Sequence, residues 1–559
     1  MGCSSLPAPA TTELALKNPR RRSIVRPPPL SPRRHRRAQR QFQKRRRSPW
    51  SCRSKNLFVR IDPDGAITLT VHRSEMGQGV LTSLAMVLAD ELEVNIGDVL
   101  VVQSPANEAI GSQITAGSGS VRDNFEPLRR AGATARAMLV AAAANQWGVE
   151  AATCRADDGA VVNDATGERL GYGELVTTAA TMEVPADAPL KSPTDFRRIG
   201  RSVPRLDGDD IVRGRVLYGI DARRPDMRFA AVARCPVPGG TALSYDATAA
   251  LATPGVEQVV EVSNGVAVVA TSTWAALRGC DALTVVWDEG ELATWSTDGI
   301  RAALQQAIDA ARTEPAPADL TILEAVYETP YLAHSAMEPL NCLAHVHDGR
   351  YEISVSTQNP LSVQEMVGDA LGLPVSVEVL QCGGGFGRRL EVDYAVEAAE
   401  VSRAARVPVL VTWSRTDDLQ HDFPHAPTQH WLRAGWDATN TLNLFRHVVV
   451  GPGLNGIVYT GGTDVLEIEQ AIPYLITDRQ DSATLVEIPL PTGPWRATFA
   501  WPNAFATECF LDEIAGSLGV DPVQLRRELL PDSDRLRAAV SSSTRTWWSN
   551  RSRAVSHSG

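Results

Sequence analysis

The chain has 559 residues, of which 43% are hydrophobic and 21% are charged, and its formal net charge is −10. A chain of this length and composition can bury several apolar cores, which excludes disorder as its dominant state. No apolar run approaches the roughly 20 residues that a membrane-spanning helix needs, so no transmembrane segment is predicted.

Residues 1–55 form a basic leader. They hold 16 Lys and Arg residues and one acidic residue, whereas the rest of the chain holds 39 basic and 64 acidic residues. Arginine runs among many prolines cannot bury enough apolar surface to fold, so this leader is predicted to be disordered. Its charge would suit a nucleic acid, but no interleaved aromatic residues accompany it, and we predict no nucleic-acid partner.

The leader does not settle the localisation. The arginines at 20–22 lack the apolar stretch that follows them in an export signal. Leu6 stands where a myristoylation signal needs Ser or Thr. Since no intact export signal can be read, the sequence leaves both the cytoplasm and the periplasm open.

The first folded element is a β-hairpin within residues 58–71. It leads into a glycine loop at Ser74–Gly79, and residues 80–94 then show the apolar spacing of a helix. A glycine loop at a helix start exposes unpaired backbone N–H groups, which suits a phosphate or another anion. The alternative is that the glycines only satisfy the geometry of the turn.

The same arrangement recurs twice along the chain. A Gly/Ser-rich stretch at 111–120 precedes a helix predicted over 126–146. A further loop at 383–389 lies between a strand at 375–380 and a helix predicted over 391–403. If the three loops converge in space, they could hold a ligand that bears several phosphates.

The loop at 383–389 does not match the familiar nucleotide motifs. It lacks the Gly-Lys-Ser/Thr ending of a P-loop, and Arg388 stands where a dinucleotide fingerprint needs glycine. Kinase and NAD-dehydrogenase functions are therefore disfavoured, and a different dinucleotide oxidoreductase is kept as a minor alternative.

Three motifs, Glu75–Gly79, Ser356–Pro360 and Gly383–Gly387, resemble the molybdenum-binding large subunits of the xanthine oxidase/aldehyde oxidase superfamily. More narrowly, the chain is similar to the beta subunits of isoquinoline 1-oxidoreductase-type enzymes. In those subunits the Met-Gly-Gln-Gly segment precedes a small α/β hammerhead domain, and the hammerhead match here begins near Gly200–Asp207. The resemblance spans about residues 56–530.

The resemblance implies a mixed α+β and α/β fold with several domains, namely a large subunit with an inserted α/β hammerhead domain. The predicted divisions are the basic leader at 1–55, a first molybdopterin-binding segment at 56–199, the hammerhead domain at 200–295, a second molybdopterin-binding segment at 296–530 and an irregular tail at 531–559.

The resemblance also implies roles for individual residues. Gln358 would hydrogen-bond an oxo ligand of molybdenum, and Arg496 would lie near the substrate pocket; the alternatives are a glutamine in a turn and a surface salt-bridge arginine. His334 and Glu338 stay outside the predicted site. The implied cofactor contacts are Gln78, Gly79, Ser118, Gly119, Ser120, Gly384, Gly385, Phe386 and Gly387.

The implied cofactor is molybdopterin cytosine dinucleotide, and the implied reaction is the oxidation of N-heteroaromatic compounds or aldehydes with oxygen from water. The eight cysteines lie far apart, which predicts neither a structural zinc nor an iron–sulfur cluster in this chain, and no residue is predicted to ligate a metal directly. The resemblance therefore implies a separate small [2Fe–2S] subunit as partner, and an electron acceptor such as a cytochrome.

The chain also departs from the family pattern. Family members continue beyond the position of Gly559 and carry a late glutamate that acts as base, so no catalytic base is predicted here. Glu391 and Asp393 are acids at a helix start, where they commonly stabilise the helix dipole. Leu390, where some relatives have a pocket glutamate, favours a neutral heteroaromatic or aldehyde pocket. The irregular tail resembles an altered reading frame or fragment end, so the alternative function is that of a truncated, inactive scaffold.

Overall fold

The computed structural model describes residues 56–312, 314–457, 460–461, 466, 473–533 and 535–539. The predicted basic leader and most of the predicted irregular tail lie outside these residues. The strands are β1 Val59–Ile61, β2 Ile67–Val71, β3 Leu100–Gln103, β4 Cys154–Asp157, β5 Ala160–Asn163, β6 Arg169–Gly171, β7 Arg228–Arg234, β8 Thr241–Asp246, β9 Val256–Val262, β10 Gly265–Ala270, β11 Thr284–Asp288, β12 Thr321–Thr329, β13 Asn341–His347, β14 Arg350–Val355, β15 Val375–Val379, β16 Val409–Thr412, β17 Thr428–Trp436, β18 Leu442–Gly451, β19 Leu454–Asn455, β20 Thr460–Gly461 and β21 Asp478–Leu485.

The helices are α1 Val80–Leu92, α2 Gly119–Arg122, α3 Phe125–Trp147, α4 Tyr172–Thr181, α5 Gly208–Val212, α6 Thr248–Leu251, α7 Thr273–Ala282, α8 Thr297–Ala311, α9 Pro360–Leu371, α10 Asp393–Ala405, α11 Arg415–Gln420, α12 Ala500–Leu518 and α13 Pro522–Leu529. Within the described residues, none of the helices combines the length and the apolar character that crossing a bilayer requires.

A three-stranded sheet with two packed helices begins the described chain. β1 pairs with β2 antiparallel, and β3 then pairs with β2 in parallel. α1 and α3 pack closely, because a Cβ atom on Gly132 of α3 would lie only 2.8 Å from the carbonyl oxygen of Leu88 in α1. Apolar side chains from the sheet and both helices, among them Leu69, Leu84 and Leu139, form one buried core.

The largest sheet has seven strands in the order β15-β14-β13-β16-β7-β10-β9. Its central strand β16 has the sequence VLVT and is buried on both faces, as expected of a β-branched run inside a sheet. β16 pairs in parallel with β7, so strands from 228–270 and from 341–412 share this sheet. The domain boundary at 295/296 stays a prediction.

A second large sheet, β12-β17-β18-β21, lies between two helices. Successive side chains of a strand point to opposite faces. Trp431 of β17 accordingly packs with Leu304 of α8, whereas the next residue, Leu432, packs with Phe510 of α12. Both faces of β17 are therefore buried.

The predicted hairpin, the helices after the first two loops and the mixed architecture are confirmed, but two loop-to-helix connections differ from expectation. The four-residue helix α2 stands between the Gly/Ser-rich stretch and the long helix α3. A 3₁₀ turn at Arg388–Leu390 separates the third glycine loop from α10, which begins at Asp393. Neither loop therefore opens directly onto the long helix that the sequence predicts.

Candidate functional site

The three glycine-rich loops meet around Gln358. Its Nε2 donates to the carbonyl oxygen of Thr115 at 2.8 Å, and the Thr115 backbone nitrogen donates to the Gln358 carbonyl at 2.9 Å. The Thr115 hydroxyl accepts from the backbone nitrogen of Ser74, in the first loop, at 2.8 Å. The Gln358 side-chain oxygen accepts from the backbone nitrogen of Gly387, in the third loop, at 3.0 Å. Loops from three distant parts of the sequence thus share one small region.

The third loop leaves no room for side chains at two of its glycines. A Cβ atom on Gly385 would collide with the side-chain oxygen of Gln358 and lie 2.7 Å from the sulfur of Met76. A Cβ atom on Gly387 would collide with the carbonyl oxygen of Pro494. Only a bare backbone fits at these two positions.

The same loop holds a row of free backbone donors. Among the described residues, the backbone N–H groups of Gly384, Gly385 and Phe386 have no hydrogen-bond partner, and both glycines are buried. The φ angles at Gly384, Phe386 and Gly387 are 107°, 58° and 115°, an irregular backbone of the kind that forms anion-binding concavities. Buried N–H groups are rarely left unpaired, so this loop fits a ligand that presents acceptor atoms, as a molybdenum cofactor does.

The buried Arg389 holds the third loop in place. Arg389 is fully buried and donates to the carbonyl oxygens of Gly384, Ser356 and Glu338 at 2.9 to 3.0 Å. It also lies 3.1 Å from the Glu338 carboxylate, which accepts from the backbone nitrogen of Gly383 at 2.7 Å. Glu338 therefore helps to position the loop.

The neighbouring Arg388 contacts a different set of residues. Arg388 makes a bidentate pair with Asp393 at 2.8 and 2.7 Å, and its Nε lies 3.0 Å from Asp422. Asp422 also accepts from the backbone nitrogen of His334 at 2.6 Å and contacts its ring Nδ1 at 3.0 Å. Burial would raise the pKa of Asp422, but the hydrogen bonds from His334 and the charge of Arg388 outweigh burial and lower it. His334 is thus a buried structural partner of an ionised carboxylate.

The first loop differs from the sequence expectation. The Glu75 carboxylate accepts from the backbone nitrogens of Gly77 at 2.9 Å, Gly79 at 3.0 Å and Leu81 at 3.0 Å. The N–H groups that were expected to be free for a phosphate at the start of α1 are therefore occupied by a side chain of the same loop. A contact of Gly79 with the cofactor stays a prediction, but it cannot use that N–H group unless Glu75 moves.

Gln78 is engaged within its own loop. Its side-chain oxygen accepts from the backbone nitrogen of Met76 at 2.8 Å, and its Nε2 donates to the carbonyl of Ser74 at 2.9 Å. The side chain is exposed. Its predicted contact with the pterin would need the second hydrogen of Nε2.

The second loop carries the predicted contacts Ser118, Gly119 and Ser120. Ser118 is exposed with φ 53°, Gly119 is buried, and the carbonyl of Ser120 accepts from Asn124 at 2.9 Å. Neither serine hydroxyl has a partner within the described part of the chain. Their role as phosphate contacts stays a prediction.

Arg496 lies in a segment packed against the third loop. Two residues before it, the carbonyl of Pro494 closes on Gly387. Two residues in succession after it, Ala497 and Thr498, have positive φ angles of 65° and 44°, which is uncommon for residues with a Cβ. The Arg496 side chain is exposed and makes no hydrogen bond or ion pair with any described residue, so it is free to meet a ligand at the rim.

Both acidic residues that follow the third loop already have hydrogen-bond or ion-pair partners. Glu391 is fully buried, and its carboxylate accepts from the backbone nitrogen of Ile457 at 2.9 Å. Asp393 is held by Arg388. Leu390 is itself buried.

Cys382 directly precedes the loop. Burial raises the pKa of its thiol to about 12, so it stays protonated and is a poor metal ligand at neutral pH.

Comparison with known proteins places this site in a family. Two models, each described as a molybdopterin cofactor-binding domain, match residues 39–203 and 301–530. Between them they contain all three loops, Gln358 and Arg496.

Two relatives match over most of this chain. The chain is 30% identical over 526 residues to a protein named membrane-bound aldehyde dehydrogenase [pyrroloquinoline-quinone] from Gluconacetobacter polyoxogenes, covering 86% of this chain and 67% of that protein. It is 28% identical to the isoquinoline 1-oxidoreductase subunit beta of Brevundimonas diminuta, covering 87% of this chain and 71% of the relative. The chain belongs to the molybdenum-binding large subunits of the xanthine oxidase family. Although the first relative's name specifies a quinone, both domain models specify molybdopterin, which confirms the predicted cofactor class; the cytosine dinucleotide form stays a prediction.

Solved structures of this family share the fold. Quinoline 2-oxidoreductase from Pseudomonas putida 86 matches with a TM-score of 0.51 at 18% identity, over 64% of this chain and 56% of that chain. The predicted fold class is thereby confirmed. The chain spans little more than half the length of this large-subunit structure, so activity, substrate and partners are matters for proposal.

Proposed function

We propose that this chain is the molybdenum-binding subunit of a hydroxylase that oxidises N-heteroaromatic compounds or aldehydes with oxygen derived from water. Electrons would leave through a separate [2Fe–2S] subunit. The proposal rests on the backbone N–H groups of Gly384, Gly385 and Phe386, which have no partner in the described part of the chain and lie beside the amide of Gln358.

When bound, the molybdenum cofactor supplies the oxygen insertion and accepts the two electrons of the oxidation. The chain supplies hydrogen-bond donors to the cofactor. An amide nitrogen has two hydrogens, and Gln358 uses one for the carbonyl of Thr115. The other can donate to an oxygen of the cofactor without adding charge, while the N–H groups of Gly384 and Gly385 approach from the backbone.

The rim of this region offers groups that suit the proposed substrates. The Phe386 side chain is 42% exposed, and an aromatic face can stack on a heteroaromatic ring. The guanidinium of Arg496 can hold a carbonyl or carboxylate oxygen of the substrate. Both residues flank the closely packed contact between Gly387 and Pro494, so they can act on one bound molecule.

We propose the cytosine dinucleotide form of the cofactor, with its phosphates near the second loop. The hydroxyls of Ser118 and Ser120 have no described partner, and Gly119 lies between them. An iron–sulfur partner is supported by the cysteine pattern, since the sequence has no closely spaced cysteine motif of the kind that ligates a [2Fe–2S] cluster. It is also supported by the names of the relatives, several of which are called subunits.

The test is turnover of the chain produced together with its small iron–sulfur subunit in cells that make the cofactor. Aldehydes and N-heterocycles are supplied with an artificial electron acceptor in water enriched in heavy oxygen. The proposal predicts a hydroxylated or carboxylic product that carries the label. Product labelled from molecular oxygen would contradict it. A molybdenum-loaded protein that turns over no substrate would favour the alternative of an inactive scaffold. Bound flavin or NAD would favour the alternative of a different dinucleotide oxidoreductase.

A further inference from the structure

A cluster of metal-ligating side chains lies on the hairpin formed by β13 and β14. His345 and His347 are two residues apart on β13, so both side chains lie on the same face. Glu352 of β14 is paired directly opposite His345. One potential ligand atom from each of the three side chains lies within 4.8 Å of the other two.

One ring nitrogen of this cluster has no partner among the described residues. His345 Nδ1 is buried and makes no hydrogen bond with any of them. His347 Nε2 lies 2.9 Å from Glu352 Oε1, so this nitrogen and this carboxylate oxygen already face each other. The two rings stack with their centroids 4.4 Å apart. A buried ring nitrogen without a hydrogen bond is costly, and a cation shared with His347 and Glu352 would give the His345 ring a partner.

The surroundings orient the potential ligands. Asp348 lies 3.2 Å from Nδ1 of His347, which leaves Nε2 of that ring for a metal, as carboxylates do behind metal-bound histidines. Arg224 pairs with Oε2 of Glu352 and leaves Oε1 toward the histidines. Arg350 lies 3.9 Å from Oε1 and is the competing cation. These positive charges disfavour a cation held by charge alone, so a cation that binds here has to be one with a strong preference for imidazole nitrogen.

We propose that His345, His347 and Glu352 bind a divalent transition-metal cation of the Zn²⁺, Ni²⁺ or Cu²⁺ class. Two imidazoles and one carboxylate form a ligand set typical of zinc, with a fourth position left for water. Mg²⁺ and Ca²⁺, which prefer oxygen ligands, are not expected to bind. The Cys/His spacings of the sequence predict no metal ligand, whereas this His-x-His-x₄-Glu pattern converges only when the hairpin forms.

The metal site is separate from the molybdenum site. Glu352 and Gln358 are six residues apart along β14 and the turn that follows it. At about 3.3 Å per residue of extended chain, their Cα atoms lie at most about 20 Å apart. The cation would therefore link the two strands of the hairpin near its turn. Its binding is measurable without the molybdenum cofactor.

The test is Zn²⁺ titration of the purified full chain by calorimetry after dialysis against EDTA, with Co²⁺ absorption spectra as a second readout. The wild type should bind one equivalent in the micromolar range. His347→Ala and Glu352→Gln should each weaken this binding by about tenfold or more, the scale of an important metal-site partner. Glu365→Gln, an exposed carboxylate on α9, is the matched control and should bind as the wild type does.

Folding is checked by thermal unfolding of each variant. Zn²⁺ should raise the Tm of the wild type and of Glu365→Gln, but not of His347→Ala, because a cation that binds only the folded state stabilises it. If His347→Ala does not fold, Glu352→Gln decides. Binding that persists unchanged in a folded Glu352→Gln or His347→Ala protein, or no binding by the wild type, would overturn the proposal.

Discussion

The side-chain oxygen of Gln358 accepts a hydrogen bond from the backbone nitrogen of Gly387 at 3.0 Å, which couples a residue after β14 to a loop 29 positions later. With Nε2 tied to Thr115 at 2.8 Å, the amide plane is fixed at both ends. A fixed amide presents its remaining hydrogen in one direction, and this preorganisation is what a cofactor ligand requires.

Gln358→Ala should lower kcat by about 10- to 100-fold while the cofactor stays bound. This is the usual range when a residue that hydrogen-bonds a metal's ligand is removed. Gln364→Ala is the matched control, because Gln364 also donates from Nε2 to a backbone carbonyl, that of Val375, but outside the site. Turnover and molybdenum content are measured on the same preparation. Wild-type kcat in Gln358→Ala would remove this residue from the site.

Gly385→Ala should reduce cofactor retention, and Gly385→Val should abolish it, because the added carbon collides with Gln358 and crowds Met76. Gly516→Ala in α12 is the control: its Cβ would meet nothing within 4 Å, and alanine favours a helix by about 1 kcal/mol. Molybdenum is quantified in each purified variant. Full molybdenum content in Gly385→Val would show that the third loop is placed wrongly.

Arg389→Met should destabilise the protein by about 3–5 kcal/mol, since it leaves the Glu338 carboxylate buried without its charged partner. Arg213→Met, which removes an exposed ion pair with Asp209, should change stability by no more than about 0.5 kcal/mol. Chemical denaturation measures both. Equal stabilities for the two variants would contradict a stabilising role of the Arg389–Glu338 pair.

Stability should fall as the pH drops below 6.5, partly because of His447. Burial lowers the pKa of this fully buried imidazole to about 3, so between pH 6.5 and 3 the unfolded chain binds a proton that the folded chain does not. The folded state then loses about 1.4 kcal/mol per pH unit from this group.

His447→Gln should therefore flatten the pH dependence by about that slope. Asn443→Gln, on the same strand but without a titrating group, should keep the wild-type slope. Denaturation midpoints between pH 7 and pH 4.5 give the comparison. The same slope in all three proteins would mean that His447 titrates normally in the folded state.

Local patterns predicted the elements near the site well. Alternation predicted the β1–β2 hairpin, apolar spacing predicted α1, and an Ala-rich stretch predicted α3, because these signals depend on neighbours in sequence. The resemblance implied the glycines of the third loop as cofactor contacts, and the structure adds that Gly385 and Gly387 also pack against Gln358 and Pro494.

Long-range partners could not be predicted in the same way. Glu75 sits within the motif, but nothing in the motif shows that its carboxylate caps the N–H groups expected to bind phosphate. Arg388 and Arg389 counted only as departures from nucleotide motifs, although two arginines between a buried strand and a buried helix could have indicated an internal clamp. Arg388 pairs with the nearby Asp393, but its second partner Asp422 and the Arg389 partner Glu338 lie over 30 residues away.

The most direct test of the proposed cofactor site is the molybdenum and nucleotide content of the purified chain, made in cells that supply the cofactor to other molybdenum hydroxylases. We expect one molybdenum atom per chain and an equal amount of cytidine nucleotide released on hydrolysis. Protein that is folded yet holds neither molybdenum nor a pterin would contradict the proposed cofactor site.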